Sequence, residues 1–371
     1  MEDIIKKKVL VVIGTRPEAI KMAPVINELE KNTNKFELII CVTGQHRHIL
    51  DQMLSLFDIH PHLDLNLMRE NQSLSSLTAR AVLAVSDVIK EKHPDICLVQ
   101  GDTTTAMVAG LASFYHKVPV GHVEAGLRTN DKYNPFPEEI NRRLLSTLST
   151  YHFAPTKSAV QSLLAEQLDK DKIYLTGNTV IDAFLMVANR NLQSNLDINV
   201  KPNDFILVTA HRRENFGIPI RNICKALKII VRRNDIQIIY PVHPNPNIRI
   251  PVYDELANEK NIYLISPLKY EDFVYMLKNC YIVLTDSGGV QEEAPSLGKP
   301  VLVMRETTER PEAIEAGVAR LIGTETQNIV AEVERLLHNP EAYKQMAHAA
   351  NPFGDGKAAK RIAKILEDHL F

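Results

Sequence analysis

Short apolar runs recur along the chain, each closed by a polar turn and most followed by residues at helical spacing. In the first half they are Val9 to Ile13, Phe36 to Val42, Ile96 to Gln100, Val118 to His122 and Ile173 to Gly177. In the second they are Phe205 to Ala210, Ile236 to Tyr240, Ile262 to Ile265, Tyr281 to Thr285 and Val301 to Met304. Their length and β-branched content mark strands covered on both faces, as in a parallel sheet. Met22, Val25, Ile26 and Leu29, and later Ala79, Val82, Leu83 and Ile89, fall at the 3.6-residue period of helices packed on such sheets. Repeated strand, turn and helix predicts an α/β fold of the doubly wound, Rossmann-like kind.

The pattern lapses over residues 189–204, NRNLQSNLDINVKPND, which are polar and aperiodic. With 371 residues the chain exceeds a usual single core. It therefore divides into a first domain at 1–188, a second at 189–356 and a closing amphipathic helix at 357–371. Two sheets facing one another across a cleft would bring their strand ends together.

Composition narrows the function classes. Hydrophobic residues make up 45% and charged residues 24%, with a formal charge of -2. That is an ordinary globular balance, with no electrostatic footprint for nucleic acid or an anionic membrane. Cys41, Cys97, Cys224 and Cys280 sit among apolar neighbours, as reduced core thiols of a cytoplasmic protein do. No zinc-ligand spacing occurs, and the histidines at 46 and 48 have no carboxylate at ligand distance in sequence. Lys6 to Lys8 before Val9 to Ile13 imitates a signal peptide, but the apolar run is too short.

The chemistry-bearing residues follow strand runs: Arg16, Asp102, Glu124, His211, His243 and Ser287. In open α/β sheets ligands bind at that edge. The most informative stretch is 281–312, where Tyr281 to Thr285 ends in Asp286-Ser287-Gly288-Gly289. Glycines permit close backbone approach, and a helix starting at Val290 or Gln291 would present free amides to a diphosphate, with Ser287 adding a hydroxyl. Glu292 and Glu293 could accept from ribose hydroxyls, and the loop from Arg305 to Arg310 could aim a guanidinium at phosphate. The tetrapeptide also fits an ordinary capped turn. Arg16 and Lys21 suit phosphate or solvent equally. Thr103 to Thr105 read as a helix cap cluster in which Asp102 could itself be the cap. Glu138 and Arg142, four apart, share a helix face and could form a surface ion pair.

The segments GTRPEAIKMAP (14–24), GDTTT (101–105), HVEAGLRT (122–129), PFPEEINRR (135–143), GNTVID (177–182), TAHRRENFG (209–217) and TDSGGVQEEAPSLGKPVLVMRETTERPEA (285–313) together resemble the non-hydrolysing UDP-N-acetylglucosamine 2-epimerases of bacterial type. The likeness runs in order from about residue 9 to the end of the chain. It implies a glycosyltransferase-B-like pair of domains, a homodimer, and a last helix packed back on the first domain. It also implies reversible conversion of UDP-GlcNAc to UDP-ManNAc for surface polysaccharide synthesis. The family's uridine diphosphate contacts fall on Arg16, Lys21, Phe273, Ser287, Gly288, Gly289, Glu293 and Arg310, with Leu268 beside the base. Its catalytic residues fall on Asp102, Glu124, Glu138, Arg142 and His211. A regulatory UDP-GlcNAc site is matched by Gln45, Glu138, Arg212 and His243; His48 stands where that pattern often has glutamine, and Asn71 where it has arginine.

The residues suit this chemistry. A C2 proton beside no carbonyl is hard to remove. Transient oxidation would need a nicotinamide cofactor, and no Gly-x-Gly-x-x-Gly is present. Expelling the anomeric diphosphate instead gives UDP and 2-acetamidoglucal, and needs an anion site plus carboxylates that move protons, with neither metal nor cofactor. A hydrolysing relative releasing ManNAc and UDP, or a glycosyltransferase of the same fold, would use a similar set.

Overall fold

A computed structural model describes residues 5–44, 47–69, 72–192 and 201–371. The chain forms two compact units, Met1–Ala183 with Gly354–Phe371, and Phe184–Phe353. The division falls inside the helix Thr179–Ala188, a few residues before the boundary expected at 188.

The first unit is built on β1 (Lys7–Ile13), β2 (Phe36–Val42), β3 (Leu63–Asp64), β4 (Ile96–Gln100), β5 (Val120–Val123), β6 (Tyr151–Ala154) and β7 (Ile173–Leu175). They form one parallel sheet in the order β3-β2-β1-β4-β5-β6-β7. Order reverses at β1, so β1, β4 and β5 end side by side. Leu10, Val12, Cys41, Cys97 and Val99 pack against Val85, Ile89, Ala106 and Ala109 of the helices Leu74–Lys92 and Thr104–Tyr115. Each large apolar side chain buried this way contributes about 1.5–3 kcal/mol. The strand expected from Val118 starts two residues later. The Val118 N–H is taken by the Ser113 carbonyl and Pro119 has no N–H, so neither can donate to the ladder.

The last helix, Ala358–Leu370, belongs to this unit. The Asp182 carboxylate accepts from the amides of Ala358 at 3.2 Å and Ala359 at 2.9 Å. Burial raises the Asp182 pKa to about 6. Lys35 pairs with Glu367, and the Phe36 and Phe371 rings meet edge to face.

The second unit has β8 (Phe205–Thr209), β9 (Gln237–Pro241), β10 (Ile262–Ile265), β11 (Ile282–Thr285), β12 (Val301–Val303) and β13 (Ala319–Leu321). They form a parallel sheet in the order β10-β9-β8-β11-β12-β13, which switches direction between β8 and β11. Ile220, Cys224, Leu227 and Ile230 of the helix Ile218–Arg233 cover one face. The helix after β11 spans Gly288–Glu293, earlier than expected, because the Ser287 carbonyl already accepts from the Gln291 amide. It passes into a 3-10 turn at Ala294–Leu297, where Pro295 has no N–H to continue the ladder.

Candidate active site

In the first unit, two carboxylates follow the ends of adjacent strands. Beyond β4, Gly101 turns the chain with φ +73°, and Asp102 follows. Beyond β5, Glu124 itself has φ +66°. A left-handed backbone at a side-chain-bearing residue costs on the order of 1 kcal/mol, so the surroundings must hold it there. They do: the Glu124 carboxylate accepts from Lys21 Nζ at 2.5 and 2.7 Å, from Asn178 Nδ2 at 3.2 Å and from Gln100 Nε2. Its side chain is only 8% exposed. Lys21, left open between phosphate and solvent by its spacing and placed among the uridine diphosphate contacts by the resemblance, is thus engaged by an acid.

Asp102 is not the helix cap. Thr103 takes that role, accepting from the Ala106 amide. The Asp102 carboxylate instead receives Arg142 Nε at 2.8 Å and Nη2 at 2.6 Å, while Asn141 holds its carbonyl. Arg142 therefore does not form the surface pair with Glu138 that their spacing suggested; it turns to Asp102 and, at 3.4 Å, to the buried Glu139. Glu138, half-buried in the first turn of the helix Glu138–Leu148, makes no side-chain hydrogen bond among the described residues.

Arg16 is exposed at the start of the helix Arg16–Glu30. A capping box fixes that start: Glu18, fully buried, accepts from the Gly14 amide at 2.9 Å and the Thr15 amide at 2.6 Å. The Thr103 hydroxyl donates to its other oxygen at 2.6 Å, tying the Arg16 loop to the Asp102 turn. Burial pushes the Glu18 pKa up. Gln45 and Asn71 lie outside the described residues, as does the side chain of His48.

In the second unit the organising group is Asp286, fully buried. Its Oδ2 accepts from the His211 amide at 2.7 Å, the Arg212 amide at 2.8 Å and Asn215 Nδ2 at 2.9 Å. Its Oδ1 lies 3.2 Å from His211 Nδ1. Burial lowers the His211 pKa against the opposing pull of Asp286, with Arg212 and His243 adding to the fall. The ring turns Nδ1 toward the acid and Nε2 away from it. The His243 ring stacks on His211 with centroids 5.9 Å apart.

Around the next turn, the Ser287 amide donates to the Thr285 hydroxyl at 2.9 Å. The space beside Gly288 is bordered by two guanidiniums, with a Cβ there falling 3.7 Å from Arg212 Nη2 and 3.8 Å from Arg310 Cζ. Arg310 pairs with Glu292, and Glu293 is buried. Gly289 is exposed. Arg305, which opens the loop from which the sequence offered a guanidinium to phosphate, is committed elsewhere: it is buried between Glu214 and Glu309, which raise its pKa against desolvation. Leu268 and Phe273, both half-buried, follow β10 and lie in the helix Tyr270–Asn279 respectively. Among the described residues no group of three or more His, Cys, Asp or Glu is placed to hold a metal ion. No helix among them is long and apolar enough to cross a membrane.

Gln100, Asn178, Glu18, Asp286 and Asn215 were not singled out from sequence as site residues. Gln100, Asn178 and Asp286 do fall at or just past strand ends, which is the signal that could have found them.

Two parallel doubly wound sheets with their chemistry at the strand ends define the glycosyltransferase-B-like class. A solved glycotransferase of kitacinnamycin, 11% identical, shares that fold with a TM-score of 0.68, covering 99% of this chain and 100% of its own. The family model for UDP-N-acetylglucosamine 2-epimerase matches residues 27–367, and the chain belongs to that family. The UDP-N-acetylglucosamine 2-epimerase of Campylobacter jejuni is 52% identical over 373 residues, 97% of each chain. The crystal structure of UDP-GlcNAc 2-epimerase from Neisseria meningitidis bound to UDP-GlcNAc is 48% identical with a TM-score of 0.80, covering 98% of this chain and 100% of that one.

Proposed function

We propose that this UDP-N-acetylglucosamine 2-epimerase is of the non-hydrolysing kind, interconverting UDP-GlcNAc and UDP-ManNAc by elimination and re-addition of UDP. The observation that carries the reading is the pair of held carboxylates in the first unit: a Cβ on Gly101, next to Asp102, would lie 3.6 Å from Glu124 Oε2. Departure of the anomeric diphosphate leaves positive charge at C1, which fixed carboxylates stabilise without reorganising. The C2 proton then leaves to one group and returns from another on the opposite face, with Glu138 as a third carboxylate of the set. The departing UDP is assigned to Arg16, Arg310, Ser287, Gly288 and Gly289, with Glu293 for the ribose and Leu268 and Phe273 for the base. His211, with Nδ1 toward Asp286, takes up a proton from solvent at Nε2, gives it to the departing diphosphate and regains it when UDP re-adds.

Homodimerisation goes with this reading: Phe114, Tyr115, Ile140 and Leu144 are exposed on the neighbouring helices Thr104–Tyr115 and Glu138–Leu148. So does a cytoplasmic location, since all four cysteines are buried free thiols. The product would feed surface polysaccharide synthesis, and Arg212 and His243 remain available for a regulatory nucleotide.

The test is NMR of UDP-GlcNAc in heavy water. Solvent deuterium should appear at C2 of UDP-ManNAc, and D102N, E124Q and E138Q should each lower turnover by about two to four orders of magnitude while UDP still binds. Free ManNAc as the product would refute re-addition. Full activity in all three variants would remove the carboxylates from the mechanism.

A further inference from the structure

One buried histidine has no part in the chemistry above. His122 lies on β5, fully buried, paired in register with Val99 of β4. Its Nε2 meets the Gly101 carbonyl at 2.7 Å. A carbonyl can only accept, so Nε2 carries the proton. The neighbouring Val123 carbonyl accepts from the Gly101 amide at 3.0 Å. Two successive residues of β5 therefore grip both sides of Gly101, and the residue after them is Glu124. Gly101 is followed by Asp102 and preceded by Gln100, which donates to Glu124.

We propose that His122 is a positioning residue for the epimerase reaction, a neutral donor that fixes the Gly101–Asp102 peptide and so sets the Asp102 carboxylate relative to Glu124. The inference rests on the epimerase reading and names a residue that reading does not use. Three observations support it. First, Gly101 has φ +73° and no Cβ, so its peptide is the most easily flipped link between the two acids, and the imidazole is what holds its oxygen. Second, burial lowers the His122 pKa to about 4, with the Gly101 carbonyl opposing and Arg128 and Arg142 reinforcing the fall. The ring is thus an uncharged donor across the working range. Third, its Nδ1 is buried without a hydrogen-bond partner among the described residues, which costs stability that an apolar side chain would not cost. The imidazole is kept for the reach of Nε2.

Side-chain geometry gives the test. A glutamine places its amide nitrogen near the Nε2 position, an asparagine places it near Nδ1, and phenylalanine fills the space with no donor. Expected are H122Q with kcat within about fivefold of wild type, and H122N and H122F lowered about 100-fold, within the range of lost proton-transfer geometry. KM and the dissociation constant for UDP should stay within about threefold in all, because the assigned UDP ligands other than Arg16 lie in the second unit. A folded H122F with kcat within twofold of wild type overturns the proposal, as does a loss of UDP affinity that matches the loss of kcat. Should H122F fail to fold, equal kcat in H122Q and H122N overturns it. A wild type without C2 exchange would refute the epimerase reading alone. Crystal structures then decide: Asp102 must keep its contact with Arg142 in H122Q and lose it in H122N.

Discussion

Replacing Asp286 by asparagine should separate its structural from its chemical duty. Its Oδ2 collects three donors between 2.7 and 2.9 Å, two of them the amides that open the 211–217 loop. Hydrogen bonds to a charged acceptor are worth about 1.5–3 kcal/mol each, against about 0.5–1.5 for neutral ones. An asparagine carbonyl in the Oδ2 position keeps all three bonds and loses about 1 kcal/mol on each, or roughly 3 in total. D286A would leave two amides and a carboxamide without partners, at about 1–3 kcal/mol apiece. That approaches the whole stability of a typical domain, about 5–15 kcal/mol, so D286N is the informative variant. Its consequence lies at the other oxygen, 3.2 Å from His211 Nδ1. A carboxylate there favours the tautomer with the proton on Nδ1 and leaves Nε2 able to accept. An amide NH2 there favours the opposite tautomer. D286N should therefore fold, bind UDP within about threefold of wild type, and lose about 10²–10⁴ in kcat. Asp286 also raises the His211 pKa, so its neutralisation should move the acid limb of the kcat profile to lower pH. A D286N enzyme that is folded by circular dichroism and keeps kcat within threefold would refute the tautomer argument.

Two stability predictions follow from buried positions in the first unit. Burial lowers the His152 pKa to about 4, with His122 and Arg128 adding to the fall. The unfolded chain takes up a proton below about pH 6.5 that the folded one refuses until near 4, so stability is full above 6.5 and falls on acidification by about 1.4 kcal/mol per unit. Asp182, raised to about 6, works in the opposite direction, so the comparison must be with a variant: H152F should reduce the loss between pH 6.5 and 5 by about 2 kcal/mol in urea titrations, and an unchanged loss would refute it. Gly126 has φ +92°, and a Cβ there would fall 2.3 Å from the Ala159 carbonyl oxygen. The obstacle is backbone, so G126A should cost more than about 3 kcal/mol; a midpoint shift equivalent to less than about 1 would contradict the geometry.

What the sequence disclosed, and what it withheld, divides along the range of the interactions. Apolar runs and helical spacing are local, and they located β1, β2, β4 and β8 to β12 to within a residue or two, while the short β3 and β13 carried no such run. Thr15 and Glu18, three apart before an apolar helix, already have the form of a capping box, and the structure forms one. Strand ends were legible as the place where chemistry gathers. Partner choice was not. Spacing put Arg142 and Glu138 on one helix face, yet the sheet order sets the β4 turn against that helix, and Arg142 selects Asp102. Lys21, early in the helix after β1, suited phosphate or solvent equally. Its contact with Glu124 depends on β1, β4 and β5 lying side by side, which no window of sequence contains. The order of the sheet makes Glu124 tolerable in a left-handed conformation: donors from residues 21, 100 and 178 converge on one carboxylate. Lys21 comes from the helix after β1, Gln100 from the end of β4 and Asn178 from just beyond β7, so the site is a property of strand order, and a residue far from it in sequence can be as necessary to it as its neighbour.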